Sequence, residues 1–388
     1  VTTSTDLAIT PATHDRRGSW LPNGAMIMTR FMELRKRRGL MIALIAVNIG
    51  VPAIFLIVRL VAHAVAPHSY GPAGGYSIFE GLIAGLMYIF GFIVAATLGC
   101  TAGAVDLTEG MFRHLVVTGR SRLALYFARV PAGLMIIVPV VAAGIIVVCS
   151  VCVAAAPTKL SFDGINNMPV GLSRQAFVTW AEDHPKAAIC YMNYNFNGPN
   201  PPPVQCGPNN QVVAVKNQGG KGSITSITAK PATKPEMRAF AIKVAEQNYA
   251  SYTTTFLSPP LKLMIETGLW VELWAIVGFL IGLGLSSLMG QRTVPVVLLI
   301  VYEIVLTPLF SRVAIPHLIN AQRGLVGLAM AHIEPAGLPV VLGLGGVARG
   351  GGGVQLLPES TAVAILVIIA WIVVWTALGA WRMATRDA

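Results

Sequence analysis

The stretch DLTEGMFRHLVVTGRSRLALYFARV, Asp106 to Val130, separates two long apolar blocks. A chain that leaves one apolar block for a charged segment and then enters another reads as a membrane protein turning at the bilayer surface. Within the stretch, Met111, Phe112, Leu115 and Val116 share one face at helical spacing, while Arg113, Arg120 and Arg122 face elsewhere. That is the pattern of an interfacial helix. Asp106 and Glu109 fall in its expected first turn, where negative charge suits the helix dipole, and Gly119 marks its stop. Two readings stand at this point: a loop whose arginines fix topology, or a short stiff helix that docks into a partner and is moved by it.

Composition agrees with a membrane setting. Of 388 residues, 54% are hydrophobic and 12% charged, against about 25% charged in soluble domains. Apolar runs of about 20 residues can each span a bilayer, and six are found: Leu40 to Ala64, Ile78 to Ala104, Val130 to Ala155, Leu263 to Met289, Val294 to Ile315 and Thr361 to Ala380. Arg35 to Arg38 precede the first, Arg113 to Arg129 separate the second and third, Arg292 lies between the fourth and fifth, and Arg382 follows the sixth. The loop HAVAPHSYGPAGGYS has neither Lys nor Arg. Positive charge marks the cytoplasmic side, so both termini are expected in the cytoplasm of a multi-pass plasma-membrane protein. The net charge of +11 is explained by these flanks rather than by nucleic acid.

Residues 1–27 are polar and are expected to be disordered; translation starting at Met26 or Met28 is an open alternative to Val1. Residues 157–260 form an extracytoplasmic insertion, long enough at about 100 residues to fold by itself. GPNPPPVQCGPNN reads as loop, QVVAVKNQGGKGSITSIT as a hairpin turning at Gly219 and Gly220, and a helix is expected to begin near Pro235. Cys190 and Cys206 are candidates for a disulfide on the oxidising side, the alternative being two free thiols. Cys149 and Cys152 form C-x-x-C in an apolar span without a nearby His, which favours packing over metal binding. Between residues 317 and 359, apolar pieces broken by Gly and Pro are too short to span and suggest a re-entrant outer cap.

Carboxylates inside spans need a partner or a wet cavity. Glu303, near the middle of span five, is a candidate for the translocation path, the alternative being a carboxylate paired with a neighbouring helix. Arg59, Glu266, Glu272 and Arg312 lie toward outer span ends, and Trp270 and Trp274 read as an aromatic belt with Trp381 as its inner counterpart. Small residues recur every fourth position at Ala95, Gly99 and Gly103, and at Gly278, Gly282, Ser286 and Gly290, as close helix packing in lipid requires.

EGMFRHLVVTGRSRLALYFAR resembles the cytoplasmic loop of ABC-2-type (type V) exporter permeases, in which a carboxylate and a Gly precede a short coupling helix and a small-residue-plus-Arg turn follows it. Glu109 and Gly110 match the first part; Gly119, Arg120, Ser121 and Arg122 match the second. MTRFMELRKRRGLMIAL is similar to the family's amphipathic elbow, with Phe31, Glu33, Leu34, Arg35 and Arg38 its candidate residues. The resemblance covers about Met28 to Arg386 and implies an all-α polytopic membrane protein. Residues 28–156 would hold the inner-leaflet elbow helix, spans one to three and the cytoplasmic coupling helix; residues 157–260 a small α+β extracytoplasmic insertion; and residues 261–388 spans four to six with the re-entrant outer cap. The insertion is larger than the family's usual connection.

The implied function is that of a permease subunit moving a lipid, drug or amphipathic compound outward. Asp106, Glu109, Gly110, Met111, Phe112, Arg113, His114, Arg120 and Arg122 would couple it to an ATPase. No G-x-x-x-x-G-K-[ST] occurs in the sequence, so ATP and Mg are expected in a separate ABC ATPase subunit and no cofactor in this chain. A second permease subunit, identical or related, is the other expected partner. An ATPase-coupled transducer acting on an extracytoplasmic partner is the alternative. An intramembrane enzyme is a weaker one: the serines of GLSS at Gly284 to Ser287 would need a His within reach, and His317 and His332 fall beyond the spans.

Overall fold

A computed structural model describes residues 21–67, 69–108, 121–160, 168–194, 204–206, 212–217, 227–231, 233–312, 320–336, 338 and 358–385. Helix α1 (Gly24–Lys36) begins where Asn23 accepts a hydrogen bond from the Met26 amide at 2.9 Å, so the expected disorder does not extend to residue 27. The side-chain cap satisfies an amide the helix itself leaves open. Among the described residues, six further helices are long and apolar enough to cross a membrane: α2 (Arg38–Val65), α3 (Tyr76–Asp106), α4 (Arg122–Ala154) and, beyond the insertion, Leu261–Met289, Thr293–Ser311 and Thr361–Thr385. The chain is a multi-pass membrane protein. The spans agree with those expected except that α4 starts at Arg122 rather than Val130.

The insertion is an α+β unit. Strands β1 (Lys159–Leu160) and β2 (Met168–Pro169) pair antiparallel, and helices α5 (Arg174–Asp183) and α6 (Pro185–Tyr194) follow. Strands β3 (Val204–Cys206), β4 (Val212–Asn217) and β5 (Ile227–Pro231) form an antiparallel sheet in that order. The expected hairpin is β4–β5, with Asn217 opposite Ile227 and the ladder running on to Val213 opposite Pro231; its turn residues Gly219 and Gly220 lie outside the described residues. The segment read as pure loop contributes β3, because Val204 to Cys206 pairs with β4 despite the flanking prolines.

Helix α7 (Lys234–Phe256) closes the unit, starting one residue before Pro235. Phe177, Ala181, Ile189, Ala241, Ala245 and Tyr252 form a core separate from that of the bundle, and Tyr252 stacks on Phe177 at 4.0 Å. Cys190 is disulfide-bonded; since Cys100, Cys149 and Cys152 are free thiols, Cys206 is the remaining cysteine of the five.

The start of α7 carries a capping box that the sequence reading passed over. Glu236 Oε2 accepts hydrogen bonds from Thr233 N at 3.0 Å and Thr233 Oγ1 at 2.7 Å, and these bonds hold the carboxyl below its ordinary value of 4.5. A depressed folded-state value means the contribution is present above pH 4.5 and is lost as pH falls through the folded-state value. Amide exchange in the first turn of α7, corrected for intrinsic rates, is expected to quicken across that acidic window in the full chain. Thr233→Val should flatten the dependence; a first turn equally protected at both ends of the window would contradict the box.

Helix α8 (Leu261–Met289) follows α7 after four residues and is the most buried span. Its small-residue face meets that of α3. A methyl group added at Gly282 would lie 2.3 Å from Ala96 O, and one added at Gly99 would lie 2.1 Å from Phe279 O. Gly290 is not part of this face; it ends the helix at φ 72°, a left-handed cap that favours glycine. Nearer the insertion, Trp270 stacks on Tyr88 at 4.3 Å and Trp274 on Phe92 at 4.2 Å. Both tryptophans are therefore buried, at 4% and 0% exposure, and not a lipid-facing belt, whereas Trp381 is exposed. Lipid offers no hydrophobic drive for helices to associate, so close backbone approach and ring stacking hold the spans together.

Helix α9 (Thr293–Ser311) contains a π-helical turn at Tyr302–Leu306. A 3-10 turn (Asn320–Gly324) and helix α10 (Val326–His332) are the helical elements among the described residues of the expected cap. Helix α10 is packed into the bundle: Trp270 Nε1 donates to Met330 O at 2.9 Å, and the Gly327 amide donates to the Tyr302 hydroxyl at 3.3 Å. The last span is α11 (Thr361–Thr385). It crosses α8 on the side away from α3, where Gly379 faces Gly284.

Candidate functional site

Asp106 stands in the last turn of α3, not in the first turn of a new helix, and is fully buried. A carboxylate there opposes the helix dipole, and burial would make it more costly still without partners. Two guanidiniums supply them. Arg30 of α1 grips Asp106 with Nη1 on Oδ1 at 2.7 Å and Nη2 on Oδ2 at 2.6 Å, the bidentate geometry that Arg alone provides. Arg129 of α4 donates Nη2 to Asp106 Oδ2 and Nη1 to Gly103 O, the latter at 3.0 Å. Ser287 of α8 donates to the same carbonyl at 3.3 Å.

Glu33 completes the group, accepting from Arg30 Nη1 at 2.7 Å. Two positive and two negative side chains thus balance one another in a nearly dry site. Burial works against the Arg30 charge, but the Asp106 carboxylate beside it, and Glu33 after it, hold the guanidinium above its ordinary range. The arrangement is built of ion pairs and hydrogen bonds. It is a joint in which α1, α3, α4 and α8 meet through charge and hydrogen bonds at the end of the bundle away from the insertion.

The joint brackets the segment singled out in the sequence. Asp106 anchors its beginning, and Arg122 anchors its end by donating Nη1 to Ala384 O at 3.1 Å, a cation on the C-terminal carbonyls of α11. Glu109, Gly110, Met111, Phe112, Arg113, His114 and Arg120 lie outside the described residues. Of the residues assigned to the elbow, Leu34 is buried and Phe31 packs on the bundle core. Glu33 joins the cluster, Arg35 is exposed, and Arg38 opens α2. Arg30 was missed and Arg129 was counted only as a topological charge. The signal that would have found both is the cost of an arginine at the edge of an apolar run, which demands a partner.

Glu303 belongs to a different place. It is 1% exposed in the π-helical turn of α9, and its Oε2 has no hydrogen-bond partner among the described residues. It faces α10, where a methyl group on Gly327 would come within 3.7 Å of it. Glu272, expected near an outer span end, lines an apolar groove of about 670 Å³ between α4 and α8 with Ile145, Ile146, Cys149, Ile265 and Leu269. Its Oε1 also has no hydrogen-bond partner among the described residues.

Comparison with protein-family models, curated proteins and solved structures gives no match. Among the described residues no group of three or more His, Cys, Asp and Glu side chains is placed to hold a metal ion.

Proposed function

We propose that this chain is the permease subunit of an ATP-driven exporter, working with a separate ABC ATPase and a second permease subunit. The observation that carries the reading is the Arg30–Asp106–Arg129 joint. A partner pushing on residues 109–120 at the cytoplasmic face would load a segment held at Asp106 and at Arg122, and so would move α1, α3, α4 and α11 together rather than bend a loop. In this reading α1 is the elbow and residues 109–120 hold the coupling helix. The α4–α8 groove supports an amphipathic cargo, since it offers an apolar wall with one carboxylate.

One observation favours a second reading, transduction to an outside partner. The insertion has its own core, and α7 reaches α8 through only Leu257 to Pro260, so movement of the bundle has a short path to an extracytoplasmic unit of substantial size.

The test is purification of the intact protein with whatever ATPase accompanies it, followed by reconstitution in vesicles. Export of an amphipathic probe that requires ATP hydrolysis is the expected result. Glu109→Ala and Arg113→Ala should each reduce permease-stimulated hydrolysis at least tenfold while leaving membrane insertion intact. Probe movement without nucleotide would sink the proposal, and ATP-driven changes in the insertion without probe movement would replace it with transduction.

A further inference from the structure

Three arginines converge on one cavity at the same end of the bundle as the joint. Arg37 and Arg38, from the break between α1 and α2, face Arg292, which precedes α9, across a space of about 590 Å³. Among the described residues no carboxylate lines it. Thr293, at the start of α9, also lines it, and the N-terminal end of a helix carries partial positive charge. Below the arginines the walls change character. Leu40 and Ala43 of α2 and Val296 and Val297 of α9 line the cavity on the flank of the spans, where Val297 is 53% exposed.

We infer that this cavity is a binding site for an anionic phospholipid, with the phosphate among Arg37, Arg38 and Arg292 and an acyl chain along the α2–α9 wall. Topology alone asks only that positive charges lie on one side of the membrane. It does not ask that residues more than 250 positions apart in sequence share a cavity open to lipid. Guanidinium forks match phosphate oxygens bidentately, and basic pockets between spans on the cytoplasmic side suit such head groups. A soluble phosphate would use the arginines but leave the apolar wall without a role, which is why the lipid is the occupant assigned. The inference is independent of whether the chain exports anything.

The full chain, purified in a non-ionic detergent, is titrated with phosphatidylglycerol and phosphatidylcholine of identical acyl chains, and retained lipid is read by native mass spectrometry. Phosphatidylglycerol should bind at least tenfold more tightly. Arg38→Gln and Arg292→Gln should each weaken it about fivefold, the effect of one cation beside an anionic lipid, and Arg292→Lys should restore part of the loss without altering the topological charge. Ala43→Trp, which leaves every arginine in place, should weaken it by filling the wall. Equal binding of the two lipids, or a phosphatidylglycerol preference that survives the double glutamine variant, would overturn the site. Displacement of the lipid by millimolar inorganic phosphate, or no effect of Ala43→Trp, would overturn the lipid as its occupant.

Discussion

Asp106→Ala is expected to lower the stability of the detergent-solubilised protein by about 3–5 kcal/mol, because it leaves the buried Arg129 charge and most of Arg30 facing each other without the carboxylate that neutralises them. Arg30 is 7% exposed and Arg129 1%, so water cannot take the place of Asp106. The comparison that isolates the cause is Asp106→Ala with Arg129→Met. This double variant removes one charge of each sign and keeps the Arg30–Glu33 pair, and it should recover roughly 2 kcal/mol relative to the sum of the single effects. Arg35→Ala, on the exposed face of α1, should stay within about 0.5 kcal/mol of the parent. Equilibrium unfolding in mixed micelles measures the parent, Asp106→Ala, Arg129→Met, the double variant and Arg35→Ala. If Asp106→Ala matches Arg35→Ala, the joint is not a structural element.

The second large effect concerns the α3–α8 seam. Gly282→Leu should destabilise the bundle by about 3 kcal/mol or more, since its first added carbon already falls 2.3 Å from Ala96 O and a backbone oxygen cannot swing aside as a side-chain tip can. Gly99→Ala meets Phe279 O at 2.1 Å and should behave in the same way. Gly85→Ala is the matched control: nothing lies within 4 Å of the added carbon, and relief of backbone entropy should leave the protein as stable or up to about 1 kcal/mol more stable. The same unfolding assay, together with the yield of monodisperse protein, reads the difference. A tolerated Gly282→Leu would mean that the two helices are held apart in solution.

The six crossings were legible because bilayer thickness imposes a run length that no soluble core requires, and each expected span is found. What failed were the readings of side chains whose partners lie on another span. Arg129 looked like a loop charge and set the start of the third span eight residues too late; Asp106, 23 positions away, takes it into the bundle, and Arg30, 76 positions from Asp106, completes the set. Trp270 and Trp274 carried the signature of an interfacial ring, yet Tyr88 and Phe92 of another helix cover them. The four-residue spacing of Gly278, Gly282 and Ser286 was visible along the chain, whereas its counterpart, the Ala95–Gly99–Gly103 row, could be matched to it only once the two helices were seen side by side. The capping box at Thr233 and Glu236 was a local signal and could have been read directly.

The joining of α7 to α8 gives the molecule a handle beyond the spans. Tyr76 N donates to Leu257 O at 2.8 Å, clasping the four-residue bridge against the first turn of α3, so the strand-and-helix unit cannot swivel freely on the axle it sits upon. Drag on that unit would be felt at Ser287, roughly 40 Å down the same helix at 1.5 Å per residue. An antibody fragment clamped on that unit would brake α8 from beyond the ends of the spans, without ever entering the bilayer.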